Sequence, residues 1–142
     1  MSTRPRGSFR YIDHTADVGI VVTAPTLGVL FETAAFALTE LITNVDGLKL
    51  KVERQIQLEE DEIETLLVSW LQELLYLLDT EQLVFGRFRV NVKDCSLDAQ
   101  VWGEPFNSEI HTSKTEIKAV TYHQLEVIES DQGWKAQVIF DL

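Results

Sequence analysis

A chain of 142 residues has room for one domain around a single hydrophobic core, and its apolar fraction of 45% excludes global disorder. The net charge of −11 opposes direct binding of RNA or DNA, whose phosphates it would not neutralise, and favours cations or basic protein partners. Cys95 is the only cysteine, which excludes an intramolecular disulfide and a cysteine-built zinc site.

Residues 1–8 are polar, are expected to be a flexible lead-in and lack the apolar stretch of a signal peptide. Phe9 to Asp13 and Val18 to Thr23 are expected as two short strands, separated by the polar block Asp13-His14-Thr15-Ala16-Asp17. Ala24-Pro25 ends the second strand, and Thr26 is placed to cap a helix. Leu27, Leu30, Phe31, Ala34, Ala35, Leu38, Leu41 and Ile42 follow helical spacing and give that helix an apolar face. Asn44, Asp46 and Gly47 end it. The alternation of Leu50, Val52, Ile56 and Leu58 with polar neighbours predicts a half-buried strand.

A longer helix is expected from Glu62 to about Asp79, with Asp61 and Glu64 spaced as a capping box and the acidic run Glu59 to Glu62 set at its positive end. Its apolar positions spread over roughly 200° of arc, which suits a helix packed against both a sheet and another helix. This greasiest segment, Leu66 to Leu78, is interrupted by Ser69, Gln72 and Glu73 and is too short to cross a bilayer. No membrane association is expected, and the default location is the cytoplasm.

The remainder is β-rich. Phe88, Val90 and Val92 alternate with Arg87, Arg89, Asn91 and Lys93, and a strand through Leu97, Ala99 and Val101 follows the Asp94-Cys95-Ser96 turn. Trp102-Gly103-Glu104-Pro105 is expected to break that strand, and Asn107 to Lys114 to form a polar loop. Two further strands, Ile117 to Ile128 and Trp134 to Asp141, are joined by Ser130-Asp131-Gln132-Gly133. The order ββαβαββββ predicts a single α+β domain over 1–142, a two-layer sandwich with two main helices on one face of a mixed, largely antiparallel sheet.

Chemistry-bearing residues concentrate in three places. Asp13, His14 and Asp17 lie between the first two strands, where a polar turn would use the same residue types. His123 is in phase with Ile117, Ala119, Leu125 and Val127, so it is expected to point inward, while Lys118 lies on the opposite face. A buried imidazole needs a partner and near a carboxylate becomes a tuned acid, base or ligand. His111 sits in the polar loop after Glu104. Asp141 ends an alternating strand, so a carboxylate, a carbonyl and the carboxylate of Leu142 come together as hard oxygen donors, which suit calcium or magnesium better than zinc. There is no phosphate-binding Gly-rich loop, nucleophile elbow, H-E-x-x-H or EF-hand loop.

Asp13-His14-Thr15-Ala16-Asp17, Phe31-Glu32-Thr33-Ala34-Ala35 and Leu66 to Tyr76 together resemble the archease family. Gly103-Glu104, His111, Lys118 to His123 and the closing Asp141-Leu142 extend the resemblance, in order, over nearly the whole chain. Within the Leu66 to Tyr76 block, Ser69 stands where the family pattern carries an acid. The resemblance implies an accessory protein of tRNA splicing rather than an enzyme. Such a protein assists the GTP-dependent RNA ligase that joins exon halves, promoting its guanylylation and repeated turnover. It also implies a divalent-metal site, with calcium the leading ion, on Asp13, Asp141 and Leu142. His14, Asp17, Glu104, His111, Lys118 and His123 are the other candidate functional residues. Two rivals remain from the residues alone: a metal-dependent hydrolase using Asp13, His14, His123 and Asp141 with a bound water, and an adaptor or chaperone-like module acting through the wide helix face.

Overall fold

A computed structural model describes residues 4–13 and 16–142. β1 (Ser8–Asp13) and β2 (Asp17–Ala24) pair antiparallel, with Tyr11 opposite Ile20 and Asp13 opposite Val18. Val18, Ile20, Val22 and Ala24 are buried on one side of β2, and Gly19 and Val21 on the other, as suits a strand flanked on both edges by partners. The Tyr11 hydroxyl donates to the Ala37 carbonyl at 2.9 Å and ties β1 to the first helix.

That helix, α1 (Leu27–Ile42), starts where expected: the Thr26 side chain accepts from the Val29 N–H at 3.2 Å. It is buried on nearly every side, Thr33 and Thr39 included, where periodicity showed one apolar face. The cause is its position between two sheets, which it touches through β2 on one side and β4 (Leu83–Lys93) on the other. Ala34, Ala35 and Ala37 allow both sheets to approach closely.

The second helix, α2 (Ile63–Glu81), buries Leu66, Leu67, Trp70 and Leu71 in the core. Val68 and Leu75, which widened its apolar arc, are buried too, so that arc is core and leaves no strip for a partner. The fully buried Trp70 donates its indole N–H to the Phe31 carbonyl at 3.0 Å and packs edge-on against Phe88, which joins the two helices to the sheet. The expected Asp61–Glu64 capping box does not form. The cap position falls one residue later, on Glu62, which makes no side-chain cap hydrogen bond. Ser69 instead donates to the Glu60 carboxylate at 2.8 Å, which ties the loop before α2 to the helix.

The strands divide between two antiparallel sheets. One has the order β1-β2-β8-β6, with β7 also on β8; the other is β3-β5-β4. Here β3 is Val52–Glu59, β5 Ser96–Pro105, β6 Ala119–Val120, β7 Glu126–Ser130 and β8 Gly133–Asp141. The two helices pack against these sheets as the α+β reading requires. β4 is an edge strand, and α1 covers it with side chains: the Glu32 carboxylate accepts from the Val90 N–H and the Thr39 hydroxyl donates to the Phe85 carbonyl, each at 2.9 Å.

Two local expectations are overturned. Gly103 does not break β5, which runs on to Pro105; a bulge at Phe85/Arg87 in β4 absorbs the irregularity, and the absence of a side chain on Gly103 lets the Val84 backbone lie against it. The continuous strand from Ile117 to Ile128 is split into β6 and β7. Thr121 directs both its N–H and its hydroxyl to the Ile139 carbonyl, at 3.0 and 2.9 Å, and Gln124 takes a left-handed φ of 52°. A turn through Tyr122–Leu125 results, and the alternation that ran across it loses its phase.

Candidate functional site

The sheet end where β1, β2, β8 and β6 meet gathers most of the candidate residues. Asp141 pairs with Asp17 on one side and Ala119 on the other, one step beyond Phe140, which pairs with Val18 and Val120. Directly paired residues of antiparallel strands share a face. Val18, Phe140 and Val120 face the core, so Asp17 and Asp141 face outward side by side. Asp13 is opposite Val18 and therefore belongs to the inward-facing row, exposed because β1 ends there.

Two like charges directly opposite on one face destabilise a strand pair by about 0.2–1 kcal/mol. The Asp17 Oδ1 is also buried without a hydrogen-bond partner among the described residues. An unpaired buried acceptor costs on the order of 1–3 kcal/mol, so this sheet end is under-satisfied by its own atoms. Lys118 contributes through its backbone, its N–H donating to the Asp141 carbonyl at 2.9 Å, while its side chain is exposed. Leu142 packs on the core and holds the end of β8 in place. His14 lies outside the described residues.

Oxygen donors of this kind suit a hard cation, and the orphaned Asp17 oxygen beside Asp141 is the feature that fits one. Asp13, Asp17 and Asp141 nevertheless do not close into a side-chain cluster of three; no such cluster occurs among the described residues. Register explains why, since Asp13 and the other two project to opposite sides of the sheet.

His123 is not the inward-facing imidazole expected. It is exposed in the turn after β6, its N–H resting on the Thr121 hydroxyl at 3.2 Å. The phase argument failed because Gln124 inserts a left-handed residue into what reads as one strand.

Glu104 and His111, by contrast, come together. Both are buried, and His111 Nε2 lies 2.9 Å from Glu104 Oε2. The same carboxylate oxygen accepts the Lys49 N–H at 2.7 Å, and His111 Nδ1 accepts the Asn107 N–H at 2.9 Å. With Nδ1 accepting, the neutral ring carries its hydrogen on Nε2 and donates it to Glu104. Phe106 stacks on the ring at 5.6 Å. Burial works to raise the Glu104 carboxyl pKa, but the Lys49 N–H, the hydrogen bond from His111 and the charge of Lys51 outweigh it and hold the group below its ordinary 4.5. Every polar atom of this pair that faces inward has work in the fold: it ties the loop after β5 to the segment before β3. Sequence reasoning singled out both residues without pairing them. The available signal was Pro105, which ends the strand just after Glu104, followed by Asn107, whose side chain accepts the Glu109 N–H at 2.9 Å and turns the chain back.

Comparison with known proteins identifies relatives over nearly the whole chain. An archease from Pyrococcus furiosus is 41% identical over 139 residues, covering 94% of this chain and 98% of that protein. One from Methanosarcina mazei is 39% identical over 139 residues, with 94% and 95% covered. The solution structure of Methanobacterium thermoautotrophicum protein 1598 superposes with a TM-score of 0.83 at 36% identity, over 94% of this chain and 98% of that one. A Thermotoga maritima archease described as a possible chaperone shares the fold, at a TM-score of 0.68 and 23% identity over 92% and 94% of the two chains. The model of the archease protein family matches residues 9–142, from the start of β1 through the Asp17–Asp141 pair to Leu142, and the chain belongs to the archease family.

Proposed function

We propose that this protein is the accessory factor of a GTP-dependent tRNA-splicing RNA ligase, promoting guanylylation of the ligase and its repeated turnover without carrying out the joining chemistry itself. The observation that carries this reading is the family match over residues 9–142, which takes in every element that builds the β1–β2–β8–β6 sheet end. The net charge of −11 supports contact with the ligase rather than with the RNA. A divalent cation, calcium first, would be held at the sheet end by Asp141 and the terminal carboxylate of Leu142, with Asp17 beside them and Asp13 reaching it from beyond the end of β1. Its contribution would be positive charge that offsets the facing carboxylates and fixes the ends of the strands. The cytoplasm, where tRNA is spliced, is the matching location; no described helix is long and apolar enough to cross a membrane.

The chaperone description of the Thermotoga maritima protein offers a second reading. The burial of the whole apolar arc of α2 removes the surface on which it would rest here.

The decisive experiment adds the protein substoichiometrically to the RNA ligase with GTP, calcium and a broken tRNA. Multiple turnover that requires this protein is expected, with no phosphoester hydrolysis by the protein alone. Hydrolysis in the absence of ligase would instead favour a metal-dependent hydrolase. Asp13→Ala is expected to abolish stimulation while leaving the fold intact, because Asp13 is exposed at a strand end. Full stimulation by the folded variant would remove Asp13 from the site.

A further inference from the structure

At the opposite end of the β2–β8 ribbon lies a depression of about 470 Å³, between the segment leading into β1, the β2–α1 junction and the β7–β8 turn. Six residue steps along β2 lead from Asp17 to Thr23 in its wall, so the two sites are about 20 Å apart and act independently. Its lining carries two cations, Arg6 and Lys135, and no carboxylate, in a chain with 23 acids against 12 bases. Both cations are exposed, and neither has an ion pair among the described residues. Asp131 at the turn tip and Glu129, opposite Trp134 on β7, are the carboxylates nearest in the chain, and neither lines the depression.

The walls are preformed. Gly133 holds a φ of 121° because a Cβ there would run into the Ala24 carbonyl and come within 3.0 Å of the Pro25 Cα, so the turn is seated directly on the β2–α1 junction. Register sets Ser8, Thr23 and Lys135 in one row across three strands. The Ser130 hydroxyl accepts the Gln132 N–H at 3.3 Å and keeps its own hydrogen for donation. Trp134 belongs to the core-facing row of β8, and exposed Pro25 supplies an apolar wall.

We propose that this depression binds a small phosphate monoester, the phosphate between Arg6 and Lys135 with Ser8 and Ser130 donating to it, and the carbon skeleton against Pro25. Two cations and hydroxyl donors around an anion are the chemistry of phosphate recognition, and the volume suits a small organic molecule.

The test follows the intact protein by heteronuclear NMR during titration with adenosine 5′-monophosphate, adenosine and inorganic phosphate. Saturable shifts with the monophosphate are expected at residues 6–8, 23–25 and 130–135. Inorganic phosphate should bind the same place more weakly, and adenosine not at all. Arg6→Gln and Lys135→Gln, both at exposed positions and expected to retain the native spectrum, should each weaken the monophosphate roughly tenfold. Failure to saturate by about 10 mM monophosphate would overturn the proposal. Equal binding of adenosine, or native affinity in both variants, would overturn it as well. Phosphate binding as tightly as the monophosphate would overturn the ester assignment. None of these outcomes bears on the ligase assay.

Discussion

Two polar clusters in this molecule treat their carboxylates in opposite ways. Glu104 is buried, yet one of its oxygens receives both a backbone N–H and an imidazole N–H, and the imidazole is itself satisfied at its other nitrogen. At the sheet end Asp17 buries an oxygen with no donor among the described residues and faces a second carboxylate on the next strand. Both clusters consist of residue types that a sequence reader lists as functional. Only the second leaves chemistry undone. A polar group whose partners are all supplied by the fold is doing structural work, and one whose partners are missing marks where a ligand has something to offer.

The largest expected effect breaks the satisfied cluster. Glu104→Ala leaves the Lys49 N–H and the His111 Nε2 hydrogen without an acceptor inside the fold, and with each unsatisfied buried donor costing about 1–3 kcal/mol the loss should be about 2 kcal/mol or more. Urea denaturation at neutral pH should show that loss, with an unchanged m-value. A loss as small as that of an exposed substitution would mean that the pair does not hold the loop.

The sequence disclosed the elements well and their satisfaction poorly. Thr26 capping α1, the core-facing alternation of β8 and the buried stripe of α2 are local signals, and each was legible. The division of the strands into two sheets was not, because α1 reads as a one-faced helix until both of its neighbours are known. The turn at Thr121–Leu125 was hidden for a related reason: Gln124 carries no glycine or proline signal for its left-handed φ, and the hydrogen bonds that stabilise the turn reach across to Ile139. Asp13, Asp17 and Asp141 were all singled out, but which of them share a face depends on register, and no single strand contains that information.

The pH dependence of stability sharpens the comparison further. Glu104 is held below its ordinary value of 4.5 in the folded protein, so the folded state favours its ionised form. A carboxylate with a depressed folded pKa contributes stability that is fully present above its unfolded pKa and lost as pH falls through the folded one. Stability should therefore hold from neutral pH down to about 4.5 and fall below it. Glu32 has the opposite sign. Its pKa is raised because burial outweighs the Val90 N–H and the charge of Arg89, so its contribution is greatest below the unfolded value and is lost as pH rises through the folded one. In Glu104→Gln the acid-side decline should flatten, whereas in Glu32→Gln it should steepen because the opposing group is gone. Parallel curves for the two variants, measured by denaturation between pH 3 and pH 7, would show that neither carboxyl titrates as described.

The smallest effect carries the most discriminating sign. Asp17→Asn removes one of two facing negative charges and replaces a buried, unpartnered carboxylate oxygen with a neutral amide of the same shape. Facing like charges cost a fraction of a kcal/mol and burying a charge costs more than burying an amide, so in chelator-treated buffer this variant should be as stable as the native protein or more stable by up to about 1 kcal/mol. The native protein should gain about 2.7 kcal/mol when calcium is raised to 100 times its dissociation constant, because a ligand that binds only the folded state stabilises it by mass action. Asp141→Asn should reduce that gain, because it removes charge from the same face. Asp17→Asn should reduce it as well if the orphaned oxygen is a ligand. If Asp17→Asn is destabilised in chelator as strongly as Glu104→Ala, its carboxylate has a partner in the fold and the contrast between the two clusters fails. If it is stable and keeps the full calcium gain, the orphan is a leftover of strand pairing, and the cation is held by Asp13, Asp141 and Leu142 without it.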